Sequence, residues 1–248
     1  SIFSTIHEGG HAIYEQQIDD IVSETVLGEG TSMGIHESQS RIFENMFGRN
    51  INFLKNIFNK FDELFDVRSK GIEVEDFYKI VNTVSKSLIR IEADELTYPI
   101  HIMIRYELEK EIFSNLEEIE SSEYIDYLAN KWADMYEEFL GVRPTTNSEG
   151  ILQDVHWSSG LFGYFPSYAL GSAYAAQIYN SMNKEFSIEE NLSNGNFDNI
   201  NSFLKDKIHK FGKSKTPNEL LILATGEAFN PDYYINYLKE KYRKIYGI

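Results

Sequence analysis

The chain has 248 residues, no cysteine, and a formal net charge of −16 from 39 acidic and 23 basic side chains. That length supports a hydrophobic core without covalent staples, and the lack of thiols excludes disulfides, cysteine-ligated metal and cysteine nucleophiles, in keeping with a cytoplasmic location. The charge disfavours nucleic-acid partners, whose binding rests on Lys and Arg displacing phosphate counterions, and no apolar run approaches the roughly 20 residues of a membrane helix, so no membrane partner is expected.

Apolar positions recur at helical spacing and period-two stretches are nearly absent, which predicts a mainly α, multi-helix fold. A first helix is expected over Phe3–Gln17, and glycines 28, 30 and 34 mark a loop before a second helix through Phe47, with Gly48 near its end. Further helices are expected over 50–65, 74–97, 99–118 and 122–140, with Pro99 placed where a helix can restart. Residues 141–157, containing Pro144 and Gly150, read as a loop. Pro166 then opens a helix reaching about Met182, residues 193–196 form another loop, and Asn230-Pro231 has the cap chemistry of a terminal helix.

Within the first of these helices, His7-Glu8-Gly9-Gly10-His11 fits the pattern H-E-x-x-H. A helix turns about 100° per residue, so His7 and His11 lie about 40° apart and one turn along, and both imidazoles can reach one ion. Glu8 then stands beside the metal, where its carboxylate can take a proton from water, the arrangement of a zinc peptidase. The alternative is a surface helix whose histidines are idle. Gly9 and Gly10 argue against it, because each destabilises a mid-helix position by roughly 1 kcal/mol relative to Ala and makes sense where something must approach the backbone closely. Zinc in a hydrolase uses three protein ligands and an open position. Glu37, early on the second helix behind the glycine loop, is the preferred third ligand; His36 is its rival, and since their side chains project about 100° apart, at most one faces the ion.

Several segments in order resemble the Taq-type metallocarboxypeptidases, the thermostable carboxypeptidase 1 family: HEGGHAIYEQ at 7–16, HESQSRIFEN at 36–45, IRIEAD at 89–94, IRYELE at 104–109, GILQDVHW at 150–157 and GYFPSYALG at 163–171. The resemblance implies that the Glu of the HESQ segment, Glu37, is the third ligand. It also implies a helical fold with a deep groove, a homodimer in the full-length protein, and removal of single residues from peptides with a free C terminus. The chain then reads as a single helical catalytic region over 1–248, with a metal motif at 7–41, substrate and oxyanion segments at 89–109 and 150–171, and C-terminal helices over 172–248. Family members are about twice as long and carry upstream H-P-F and D-x-R-x-T motifs that are not found in this sequence. A C-terminal half is therefore expected, which binds metal but cleaves at least about 100-fold more slowly than an intact enzyme.

A C-terminal exopeptidase needs a cation for the terminal carboxylate, and a guanidinium offers a two-pronged match. Arg90, in the I-R-x-x-A-D segment, is the substrate-binding candidate; its bland reading is an i,i+4 pair with Asp94. Arg105, with Glu109 at i+4, reads as structural. An oxyanion beside the metal needs donors, and His156, Tyr164 and Tyr168 are suited to this, the twelve-residue interval from His156 to Tyr168 resembling that of related zinc peptidases. On residue type alone His156 reads first as a satisfied core histidine, and it is the resemblance that favours the oxyanion role. Asp154 could orient a metal-binding imidazole or cap the loop. The expected cofactor is one zinc ion per chain, with cobalt as the other candidate metal. Two alternatives to a carboxypeptidase stay open at this point: a metal-binding but catalytically inert helical fragment, and a related endo-acting oligopeptidase.

Overall fold

The computed structural model describes residues 2–118 and 121–248. Their regular structure is helical, with no strand among the described residues. No helix among them is long and apolar enough to cross a membrane. In chain order the helices are α1 (Ile2–Gln16), α2 (Asp20–Ser23), α3 (Met33–Arg41), α4 (Ile51–Phe65), α5 (Val74–Val81), α6 (Tyr98–Ser114), α7 (Ser122–Leu140), α8 (Pro166–Glu185), α9 (Ile188–Asn194), α10 (Asp198–Lys207), α11 (Pro217–Thr225) and α12 (Asp232–Tyr246). Between α3 and α4 the chain continues as a π-helix over Ile42–Gly48. The chain divides into two units, one formed by the residues up to Asn82 together with Leu170–Ile248, the other by Thr83–Ala169.

In the first unit α1 and α3 pack backbone to backbone. A Cβ on Gly10 would stand 2.6 Å from the carbonyl oxygen of Gln39 and 2.7 Å from Ser40 Cα, so only glycine permits this approach. Gly9 is different: a Cβ there would meet nothing within 4 Å. The close approach anticipated for both glycines therefore belongs to Gly10 alone. The Ser32 hydroxyl caps α3 by accepting from the amide of Ile35 at 3.2 Å. Tyr14, Ile35, Ile42 and Phe47 of these early helices join Ala175, Ile178 and Met182 of α8 and Leu204 and Leu220 further on in one buried cluster. Asn230 Oδ1 accepts the Asp232 amide ahead of α12, whose N-cap position is taken by Pro231, one residue later than the sequence places it.

In the second unit α6 and α7 are held by Ile104, Leu108, Tyr124, Leu128, Trp132, Tyr136 and Leu140, all buried. α7 spans the expected 122–140, begun by Ser121, whose hydroxyl accepts the Tyr124 amide, and ended by Gly141 at φ 68°. The helix expected over 74–97 is corrected: it ends at Val81, and only a 3₁₀ turn, Arg90–Glu92, interrupts the irregular chain before α6. Asp94 explains this part of the difference. Its carboxylate accepts the amides of Ser85, Leu96 and Thr97, fixing a turn and the start of α6 in place of a continuous helix. α6 in turn stops at Ser114 rather than 118.

Candidate metal centre

α1 presents His7 and His11 on one side and α3 presents Glu37 opposite them. His7 Nε2 lies 3.7 Å and His11 Nε2 3.6 Å from the same oxygen, Glu37 Oε2. These three residues offer ligand atoms all within 4.8 Å of one another, a group able to hold a metal ion. The donor set, two imidazole nitrogens and a carboxylate oxygen, suits zinc and leaves a coordination position open. Glu37 is 4% exposed. Its other oxygen accepts from Arg41 Nε at 2.8 Å. Glu8 is exposed beside His7 and acts electrostatically on His11.

The outer ring nitrogens are also engaged. His7 Nδ1 meets Glu44 Oε2 at 3.0 Å. Burial pushes the Glu44 carboxyl up, but the His7 hydrogen bond and the guanidiniums of Arg41 and Arg49 outweigh it and hold the group below the usual carboxylate range. His11 Nδ1 lies 2.7 Å from His36 Nδ1. Burial, and then the neighbouring His36 and His7, lowers the pKa of His11 to about 4. Its ring is therefore neutral near pH 7, the form a metal binds. His36, weighed above as a ligand, stands behind His11 and not among the atoms that converge on Glu37 Oε2. Sequence reading missed Glu44, Arg41 and Glu15 as supporting groups. The signal for the first two was present, since Glu37, Arg41 and Glu44 at i, i+4 and i+7 share a helix face.

In the second unit the residues singled out by sequence form their own cluster. Arg90 is 6% exposed. It donates to Asp154 Oδ1 through Nε at 3.0 Å and Nη2 at 2.7 Å, and to the Tyr98 hydroxyl through Nη1 at 3.2 Å. Its partner is thus Asp154 and not Asp94. Arg105, fully buried, donates to Asp154 Oδ2 at 2.7 Å and to Gln153 Oε1 at 2.8 Å. Asp154 is accordingly the shared counter-ion of two guanidiniums, which replaces both roles considered for it above. Burial would raise its pKa, and the two arginines hold it low. His156 Nε2 lies 3.2 Å from the Tyr168 hydroxyl, and Arg90 Cζ sits 5.1 Å from the Tyr168 ring centre. Tyr164 precedes α8 and is not on its face, yet its ring centre is 5.6 Å from that of His156 and 5.4 Å from that of Tyr168. Burial, then Arg90, lowers the pKa of His156.

A model of the carboxypeptidase Taq (M32) metallopeptidase family matches residues 1–242. The chain belongs to this family. Among its M32 relatives, carboxypeptidase 1 of Bacillus subtilis (strain 168) is 49% identical over 247 residues, covering 99% of this chain and 48% of that protein. Thermostable carboxypeptidase 1 of Pyrococcus furiosus is 42% identical over 243 residues, covering 98% and 47%. The crystal structure of the M32 carboxypeptidase from Deinococcus radiodurans R1 matches all of this chain with a TM-score of 0.93 at 38% identity, covering 49% of that chain. The chain spans about half the length of the curated relatives it matches. The helical fold and the M32 membership expected from the ordered motifs at 7–171 are both found.

Proposed function

We propose that this chain carries the metal centre of a zinc metallocarboxypeptidase that removes single residues from peptides with a free C terminus. His7, His11 and Glu37 would hold one ion, and Glu8 would be the general base. The observation that supports this best is the convergence of two imidazole Nε2 atoms on one Glu37 oxygen, at 3.7 and 3.6 Å, while both Nδ1 atoms face other partners. Bound zinc supplies Lewis acidity, acidifying a water and polarising a carbonyl. The proton work falls to the protein: the Glu8 carboxylate accepts a proton from the attacking water and returns it to the leaving amine.

The second unit's part in this reading is substrate handling. Arg90 is the candidate for the terminal carboxylate. Asp154 and Tyr98 engage Nε–H and one hydrogen on each Nη nitrogen, so each Nη retains a further donor. Two guanidiniums share the single carboxylate of Asp154, which leaves a cationic surplus in their immediate contact; Glu109 is turned instead to the Trp157 indole and the Gly163 amide. His156 and Tyr168, with Tyr164 alongside, are the candidate donors to the oxyanion.

The test offers zinc-loaded protein a peptide with a free C terminus and the same peptide amidated. Release of the last residue from the first alone is expected, and Glu8→Gln should lower that turnover roughly 10²–10⁴-fold while metal content stays unchanged. Equal cleavage of both peptides would overturn the exopeptidase assignment, and near wild-type turnover by Glu8→Gln the role of Glu8.

A further inference from the structure

The two candidate metal-binding histidines are supported differently. His7 Nδ1 meets the carboxylate of Glu44 directly, whereas His11 Nδ1 meets a second imidazole. The 2.7 Å contact between His11 Nδ1 and His36 Nδ1 requires that one nitrogen donate and the other accept. The far side of His36 decides which. Its Nε2 lies 2.7 Å from Glu15 Oε1, an oxygen that also accepts the Gly30 amide at 3.0 Å. A carboxylate only accepts, so His36 Nε2 carries the proton; in the neutral ring Nδ1 is then bare and accepts from His11 Nδ1–H. His11 is left with an unprotonated Nε2, the atom 3.6 Å from Glu37 Oε2.

The surroundings hold His36 in this relay. Its ring lies 5.0 Å from that of the fully buried Tyr14, whose hydroxyl accepts the Thr31 amide at 3.1 Å. The loop closes over it at Gly30, where a Cβ would stand 2.7 Å from His36 Cδ2 and 2.8 Å from Tyr14 Cε1. We propose that Glu15 and His36 are positioning residues that act in series, fixing the tautomer and orientation of His11 so that Nε2 is presented to a metal. This rests on the reading of His7, His11 and Glu37 as the metal ligands.

The relay makes a prediction about coupling. Residues that act only through one another lose the interaction once, whereas independent structural contributions add. The experiment titrates metal-free protein with Co²⁺ and follows its visible absorption bands for affinity and ligand field. Wild type, Glu15→Ala, Glu15→Gln, His36→Leu and Glu15→Ala/His36→Leu are compared, with His7→Ala/His11→Ala as the control. Each of Glu15→Ala and His36→Leu should weaken Co²⁺ binding roughly 10–100-fold and shift the bands. The double variant should be no weaker than the worse single one, and Glu15→Gln, whose amide oxygen still accepts, should recover most of the affinity. Glu15→Ala binding within about twofold of wild type, or additive losses in the double variant, would overturn the relay. Glu15 is at the protein surface, so the Glu15→Ala and Glu15→Gln pair decides the matter even if His36→Leu does not fold. Loss of binding in the His7→Ala/His11→Ala control isolates the relay from the metal assignment; unchanged binding there would remove the assignment and the relay with it.

Discussion

A Cβ placed on Gly171 would stand 2.6 Å from both Cβ and Cγ of Glu37. The backbone of α8 is thus pressed against the side chain that faces His7 and His11. Gly171→Ala should destabilise the protein by roughly 1–3 kcal/mol through overpacking and weaken metal binding in the same variant. Chemical denaturation alongside a metal titration checks both; wild-type values in each would show that Glu37 moves aside freely.

Metal and stability should be linked. A ligand that binds only the folded chain stabilises it by about 2.7 kcal/mol at one hundred times its dissociation constant. Zinc should therefore raise the melting temperature of wild type, with one ion per chain by elemental analysis, and leave His7→Ala/His11→Ala unmoved. An equal rise in the variant would place the ion elsewhere.

Asp154 is the only carboxylate that bonds Arg90 or Arg105 among the described residues. Removing it strands two buried cations, and loss of one partner from a buried pair typically costs about 3–5 kcal/mol. Asp154→Ala should show a loss of that order in urea unfolding. A loss below about 1 kcal/mol, the scale of an exposed ion pair, would show that solvent already screens the cluster.

Two buried histidines set an acid limit. Burial, then Arg105, lowers the pKa of His101 to about 3, and burial, then His36, lowers that of His209 to about 3. Both rings titrate near 6.5 in an unfolded chain, so between these values the unfolded state binds more protons. Their contribution is complete above about pH 6.5 and is lost progressively as pH falls toward 3, with a slope of at most about 1.4 kcal/mol per pH unit for each. Urea midpoints measured from pH 7 to pH 4 should fall accordingly, and His101→Phe should make the fall shallower. An identical slope in that variant would contradict the assignment.

The readable parts of this protein are those that depend on one element at a time. The spacing of His7 and His11 along α1 and the span of α7 over 122–140 are local chemistry, and they survive in the structure. Glu37, on a second helix, was legible through the glycine loop before it, but the supporting contacts between elements were hidden. Glu15 and His36 are 21 residues apart and meet only because the loop closes at Gly30. The misread helix at 74–97 has a local cause of the opposite kind. Val84, Leu88 and Ile91 imitate helical spacing, but the carboxylate of Asp94 offers the backbone a competing set of bonds, and periodicity takes no account of that competition.

The π-helix after α3 makes the count of residues matter as much as their kind. Glu44 reaches His7 from inside the segment Ile42–Gly48, whose turns are wider than those of an α-helix. Deleting Ile42 or Phe43 would swing Glu44 by roughly a quarter turn around the helix axis, away from the imidazole, although Glu44 and His7 would both still be encoded. At this place a gap of a single residue, rather than an exchange of side chains, is the change that parts the carboxylate from its ring.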